Sequence, residues 1–161
     1  MPSGVREQII EQVLILLKAS KLLSVPVIVT EQYPKGLGPT ELALKSQLAE
    51  YVPIIEKTSF SSVFADGFLE AILGTKRKQI ILVGMETHVC ILQTALDLHQ
   101  QGYQVFVVED AVSSRSNTNQ YNALQRMRDA GIIISASESV LFEWLGNAKH
   151  TQFKKLAQLI L

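Results

Sequence analysis

The chain has 161 residues, room for a sizeable core, and 1–161 is read as a single domain. Its 15 basic and 15 acidic side chains cancel, which leaves no electrostatic case for nucleic acid or an anionic membrane surface. The single cysteine excludes an internal disulfide and suits a reducing, cytoplasmic compartment; no apolar run approaches the roughly 18–20 residues of a membrane span.

In chain order, residues 5–23 carry helical periodicity, with Val5, Ile9, Val13, Leu16 and Leu17 on a broad apolar face. Val25 to Thr30 reads as a buried strand with Pro26 near its start, where a missing N–H is tolerated. Glu31 to Gly38 is a polar loop. Thr40 is placed to cap a short helix to about Leu48. Val52 to Ile55 reads as a brief strand that delivers Glu56, Lys57 and Thr58 to a loop. Asp66 is the expected cap of a helix stopped by Gly74.

The next unit is the most informative. Ile80-Ile81-Leu82-Val83 is short, apolar and continuous, as expected of a strand covered on both faces. It runs through Gly84 into Met85-Glu86-Thr87-His88-Val89-Cys90 and then a helix closed by Gly102. A thiol in the first turn of a helix faces unpaired N–H groups and the positive dipole end, an environment that favours thiolate. Tyr103 to Val108 is a further strand, with Asp110 opening its exit loop. A helix over 117–130, a strand over 132–135, a helix capped by Ser137 and an amphipathic helix over 149–160 complete the pattern.

Strands alternating with helices predict βαβ units: an α/β fold of three layers, a mostly parallel sheet with helices on both faces. Ligands in such sheets collect outside the carboxyl ends of the strands, where Lys57 and Cys90 both fall. The front is unusual, because doubly wound sheets commonly open on a strand and this chain opens on a helix.

Gly84-Met85-Glu86-Thr87-His88-Val89-Cys90, followed by Thr94-Ala95-x-Asp97-Leu98 and Gly102-Tyr103, resembles the cysteine-hydrolase motif of the isochorismatase-like superfamily. Val27 to Gly38, Glu56-Lys57-Thr58-Ser59-Phe60-Ser61, Asp110 to Arg115 and Ser137-x-Ser139-Val140-Leu141-Phe142 fit the same family in the same order. The resemblance implies a hydrolase of a small amide or ester-like substrate, with Cys90 as nucleophile and Lys57 as its triad lysine. It also implies a cis peptide at Met85–Glu86 and an oxyanion hole built from the backbone N–H groups of Glu86 and Cys90. A nearby ammonium stabilises a thiolate, so the physics agrees.

The family's third member, an aspartate at the end of a first strand, has no counterpart here. Asp66, Asp97, Asp110 and Asp129 all hold other positions in the motif map. The resemblance therefore implies a first central strand missing upstream of Met1, an internal methionine at Met1, and a turn at Met1-Pro2. A five-stranded remnant and impaired activity are the corresponding expectations.

Other residues carry two readings each. Gln32 and Tyr33 line the substrate pocket or belong to a solvated loop. Phe60 and Phe64 form an apolar pocket wall or pack in the core. His88 is read as structural or at the pocket rim. Asp110 and Arg115 are expected to pair and fix a turn. Three scattered histidines without carboxylate spacing make no metal site, and no cofactor is called for. The family resemblance points to a homo-oligomer. The rival functions are a non-catalytic pseudoenzyme serving as an oligomeric scaffold or binding protein, and a redox-sensing thiol protein.

Overall fold

The computed structural model describes residues 3–160, so the expected turn at Met1–Pro2 lies outside the described residues. The chain opens on α1 (Ser3–Leu23). It continues through β1 (Val29–Gln32), the short turns α2 (Pro34–Leu37) and α3 (Leu42–Lys45), β2 (Ile54–Lys57) and a 3-10 turn (Ser62–Phe64) to α4 (Phe68–Thr75). The second half runs β3 (Gln79–Met85), a π-turn (Thr87–Ile91), α5 (Leu92–Gln100), β4 (Gln104–Ser113), α6 (Asn117–Asp129), β5 (Ile133–Ser135), α7 (Ser137–Leu145) and α8 (Phe153–Ala157). No helix among the described residues is long and apolar enough to cross a membrane.

All five strands among the described residues pair in parallel. They form two sheets, β1–β2 and β3–β4–β5. Among the described residues β1 pairs only with β2 and β3 only with β4, so each keeps one edge without a ladder partner. All four residues of β1 are half-buried, whereas Val105, Val107 and Val108 of the doubly paired β4 are fully buried.

Alternation along the strands builds the three layers. On one face, Ile80 and Leu82 join Val105 and Val107 beneath Phe68 and Ile72 of α4, Leu92 and Leu98 of α5, and Leu124 and Met127 of α6. Ile81 and Val83 point the other way and meet Ile9, Val13 and Leu16 of α1, with Val140 of α7 alongside. The α1 residues recur at helical spacing, as the sequence periodicity predicts. Phe153, Leu156, Leu159 and Ile160 pack with Ala19, Leu141 and Leu145, so the carboxyl-terminal stripe closes the α1–α7 layer.

Several boundaries move for identifiable reasons. Both early strands lie two or more residues downstream of expectation, because the β1–β2 ladder pairs Val29 with Ile54 and Gln32 with Lys57. Glu56 and Lys57 are thus ladder residues rather than loop residues, and Lys57 is the last of the strand. β4 runs through Asp110 to Ser113, since its register with β3 jumps from Leu82↔Val107 to Gly84↔Val112 and takes up the extra residues as an irregularity. Asp66 gives way to Gly67 as the α4 cap, where a φ of 82° suits glycine.

The expected Asp110–Arg115 pair does not form. Asp110 Oδ1 accepts from Ser137 N at 2.9 Å and Ser137 Oγ at 3.0 Å. The α7 cap residue is Ala136, which has no side-chain acceptor, so the carboxylate of Asp110 satisfies the helix start from another strand. Asp110→Ala should therefore destabilise the fold by about 1 kcal/mol, and Asp110→Asn by less, read from urea unfolding midpoints. The unpaired edge of β1 gives a second expectation: amides of Val29–Gln32 exchange with deuterium faster than those of Val105–Val108.

Candidate active site

The site is assembled at the carboxyl ends of β1, β2 and β3, on both sides of the break in the sheet. β3 ends at Met85, and the Met85–Glu86 peptide is cis. Gly84 takes a φ of 109°, open to glycine and rarely to other residues. The chain then enters a π-turn instead of the expected first α-helical turn. Ile91 N donates to Glu86 O at 3.2 Å, and Leu92 N reaches back to Thr87 O. Such i→i−5 turns are rare and cluster at functional sites. Cys90 sits in this turn, half-buried, with α5 following.

Lys57 arrives from β2 and is 7% exposed. Its Nζ stands 3.7 Å from Cys90 Sγ. The same ammonium donates to Gln32 Oε1 at 2.5 Å, Phe60 O at 2.8 Å and Ser59 O at 2.9 Å. Burial drives the Lys57 pKa below the ordinary lysine value of 10.5, and the neighbouring Cys90 opposes that fall. Among the described residues no side-chain nitrogen or oxygen other than Lys57 Nζ stands within bonding reach of Cys90 Sγ, and at 3.7 Å the contact is long and chiefly electrostatic.

The loop that supplies the two carbonyls is tied down by small hydroxyls. Ser59 Oγ donates to Ser61 O at 2.9 Å, and Ser62 N donates to Thr94 Oγ1 of α5 at 2.9 Å. Those bonds turn Ser59 O and Phe60 O inward. The sequence singles out neither carbonyl, because a main-chain acceptor has no residue identity; only the run of serines after Lys57 hints at an ordered loop.

Gln32 contacts Lys57 directly, and its Nε2 donates to Thr58 O at 2.8 Å. Tyr33 and Phe64 line a cavity of about 360 Å³ beside Lys57, with Glu56, Thr58 and Asp66. Phe60 contributes its carbonyl, and its ring is 54% exposed. His88 pairs through Nδ1 with Ser114 Oγ at 2.9 Å, on the far side of the π-turn. Glu86 Oε1 accepts from Arg115 N at 3.0 Å and lies 3.7 Å from Arg115 Nε, so Arg115 serves the cis-peptide segment rather than Asp110. Glu31 is committed elsewhere: Thr40 N donates to its Oε1 at 2.7 Å, and bonding from Thr40 holds that carboxyl below the usual range. Among the described residues no three histidine, cysteine or carboxylate side chains gather as a metal site.

Known proteins share this arrangement of sequence and fold. The Isochorismatase domain profile matches residues 3–139. Isochorismatase domain-containing protein 2 of Xenopus laevis is 46% identical over 147 residues, spanning 91% of this chain and 70% of that protein. The structure of a MAR1 ribonuclease from Caenorhabditis elegans superposes with a TM-score of 0.90 at 46% identity, over 96% of this chain and 79% of that one. YcaC of Escherichia coli, an octameric hydrolase of unknown specificity, superposes with a TM-score of 0.88 at 27% identity, over 99% and 76%. On the profile match and the shared sequence, this chain belongs to the isochorismatase family.

Proposed function

We propose that the protein is a cysteine hydrolase acting on a small amide or ester-like substrate, with Cys90 as nucleophile and Lys57 as the cation that supports its thiolate. The observation that carries this reading is the 3.7 Å approach of a buried ammonium to a half-buried thiol at the carboxyl ends of parallel strands. In the proposed cycle the Cys90 thiolate attacks the carbonyl carbon and forms a tetrahedral adduct. Backbone N–H groups at Glu86 and Cys90 receive the oxyanion. The C–N or C–O bond breaks, the leaving group departs with a proton, and water hydrolyses the thioester to regenerate the thiol. The cavity beside Lys57 is lined by Tyr33 and Phe64 but not by Cys90, so it would receive the part of a substrate remote from the reacting carbonyl.

The weak point of this machinery is the proton. No carboxylate among the described residues bonds to Cys90 Sγ, so deprotonation depends on Lys57's field and on solvent. We therefore expect low turnover from the chain as it stands, because groups acting as a unit lose several orders of magnitude when one is absent. That same deficit is what favours the rival reading, a pseudoenzyme serving as an oligomeric scaffold. The octameric state of YcaC supports self-association under either reading.

The ribonuclease activity named for the C. elegans neighbour is a third reading. The balanced charge of 15 basic and 15 acidic side chains argues against a phosphate-tracking surface. Incubation with end-labelled RNA decides it: cleavage that survives Cys90→Ala would favour a nuclease over the thiol chemistry.

Two further outcomes test the principal reading. Cys90→Ala should abolish hydrolysis of a p-nitrophenyl ester, and Lys57→Met, which removes the cation facing the sulfur, should slow iodoacetamide alkylation of Cys90 at pH 7 about tenfold. Alkylation at the wild-type rate in Lys57→Met would remove the case for an activated thiol.

The lowered Lys57 pKa also has a stability signature. Between the folded value and 10.5, the unfolded chain binds more protons at this lysine than the native one, so stability contributed by this group rises with pH across that window. Below the window the cost of burying the charge is present in full. Urea unfolding from pH 8 to 10.5 should show wild type gaining stability relative to Lys57→Met as pH increases.

A further inference from the structure

The bonding around Lys57 assigns a task to Gln32. A lysine ammonium has three N–H bonds to give. Three oxygens stand within 2.9 Å of Nζ, those of Gln32, Phe60 and Ser59, whereas Cys90 Sγ is 3.7 Å away. The oxygens therefore account for the three hydrogens, and the sulfur experiences the charge. Two of these acceptors are main-chain carbonyls fixed by their loop. The third is the only side chain in the set, and it comes from the adjacent strand.

That side chain is not free to turn. Gln32 Nε2 donates to Thr58 O at 2.8 Å, which directs the other end of the amide, Oε1, at the ammonium. Gln32 and Lys57 are also direct partners in the β1–β2 register, so ladder bonds fix their separation. A neutral Lys57 amine turning its lone pair toward the sulfur would lose at least one of the three oxygen contacts. Burial by itself favours the neutral amine, and three oxygen acceptors favour the ammonium.

We propose that Gln32 is a positioning residue: it holds Lys57 as a fixed, protonated cation beside Cys90 and thereby excludes Lys57 as the acceptor of the thiol proton. The inference rests on the reading of Cys90 as the nucleophile. It gives Gln32 an effect on the pH profile of the thiol, where a pocket-lining role would change only substrate binding. The other titratable groups around the pair are Tyr33, Lys35, Glu56 and Asp66 along the cavity, and Glu86 and His88 on the segment carrying Cys90. None of them bonds to Nζ or Sγ; Glu86 is held by Arg115 and His88 by Ser114.

The test is the rate of iodoacetamide alkylation of Cys90, the only cysteine, from pH 5 to 10 in wild type, Gln32→Met and Lys57→Met. Methionine keeps the length of glutamine and removes both hydrogen-bonding ends. The expected result is an upward shift of the alkylation midpoint in Gln32→Met of about half a unit or more, a roughly threefold slower reaction at neutral pH, with Lys57→Met shifted further. A shifted Lys57→Met beside an unshifted Gln32→Met overturns the inference and leaves the nucleophile reading standing. An unshifted Lys57→Met overturns both. Should Gln32→Met fail to fold, the Lys57 side-chain nitrogen and ε-carbon resonances of wild type decide between the two protonation states. An ammonium that persists through the pH range in which the thiol ionises upholds the inference, and loss of the lysine proton in step with that ionisation refutes it.

Discussion

A single ammonium held out of water is the constraint around which the site is organised. Burying a charged lysine is costly unless its hydrogens are met and its charge has an answering partner. Here three oxygens meet the hydrogens, and the sulfur of Cys90 is the polarisable group left facing the charge. Every neighbouring feature serves that arrangement. The β1–β2 ladder brings Gln32 to Lys57, the serine-rich loop turns two carbonyls inward, and the bond from Ser62 to Thr94 ties that loop to the helix behind Cys90.

The sheet divides the same site between two bodies of structure. Lys57 and Gln32 stand on the β1–β2 pair, and Cys90 follows β3 of the three-stranded sheet. No ladder bond crosses between β1 and β3. Their relative position is kept instead by the layer of α4, α5 and α6, against which Ile28, Ile55, Ile80 and Leu82 all pack. Helix packing sets positions less sharply than a hydrogen-bonded ladder does, so the distance from Nζ to Sγ depends on the apolar core beneath it. The Thr94 bond, one turn beyond Cys90, is the polar tie that crosses the same gap.

The segment before Cys90 shows how backbone and side chains share a task. Gly84 with positive φ, the cis Met85–Glu86 peptide and the π-turn place three uncommon backbone features within eight residues. Arg115 and Ser114, at the end of β4, brace this segment through Glu86 and His88. The long irregular β4 is what brings them there: its register jump carries the strand to Ser113, opposite Met85. An exit loop beginning at Asp110, as the sequence suggests, would have ended the strand too early to reach.

Much of this was legible in the residues themselves. The apolar run at 80–83 and the helical spacing of Ile9, Val13 and Leu16 declared a parallel sheet covered on both faces, since burial pattern follows directly from side-chain periodicity. The motifs put Cys90 and Lys57 just past strand ends, and the cis bond at Met85–Glu86 is implied by the family resemblance alone and is present in the structure. Tertiary structure alone decided who meets whom: that Lys57 is answered by two carbonyls and Gln32, and that Asp110 caps α7 rather than pairing with Arg115. The physical reason is common to both. Main-chain acceptors have no signature in the alphabet, and a partner's identity across strands depends on ladder register, which is a property of the packed chain and not of any local stretch of it.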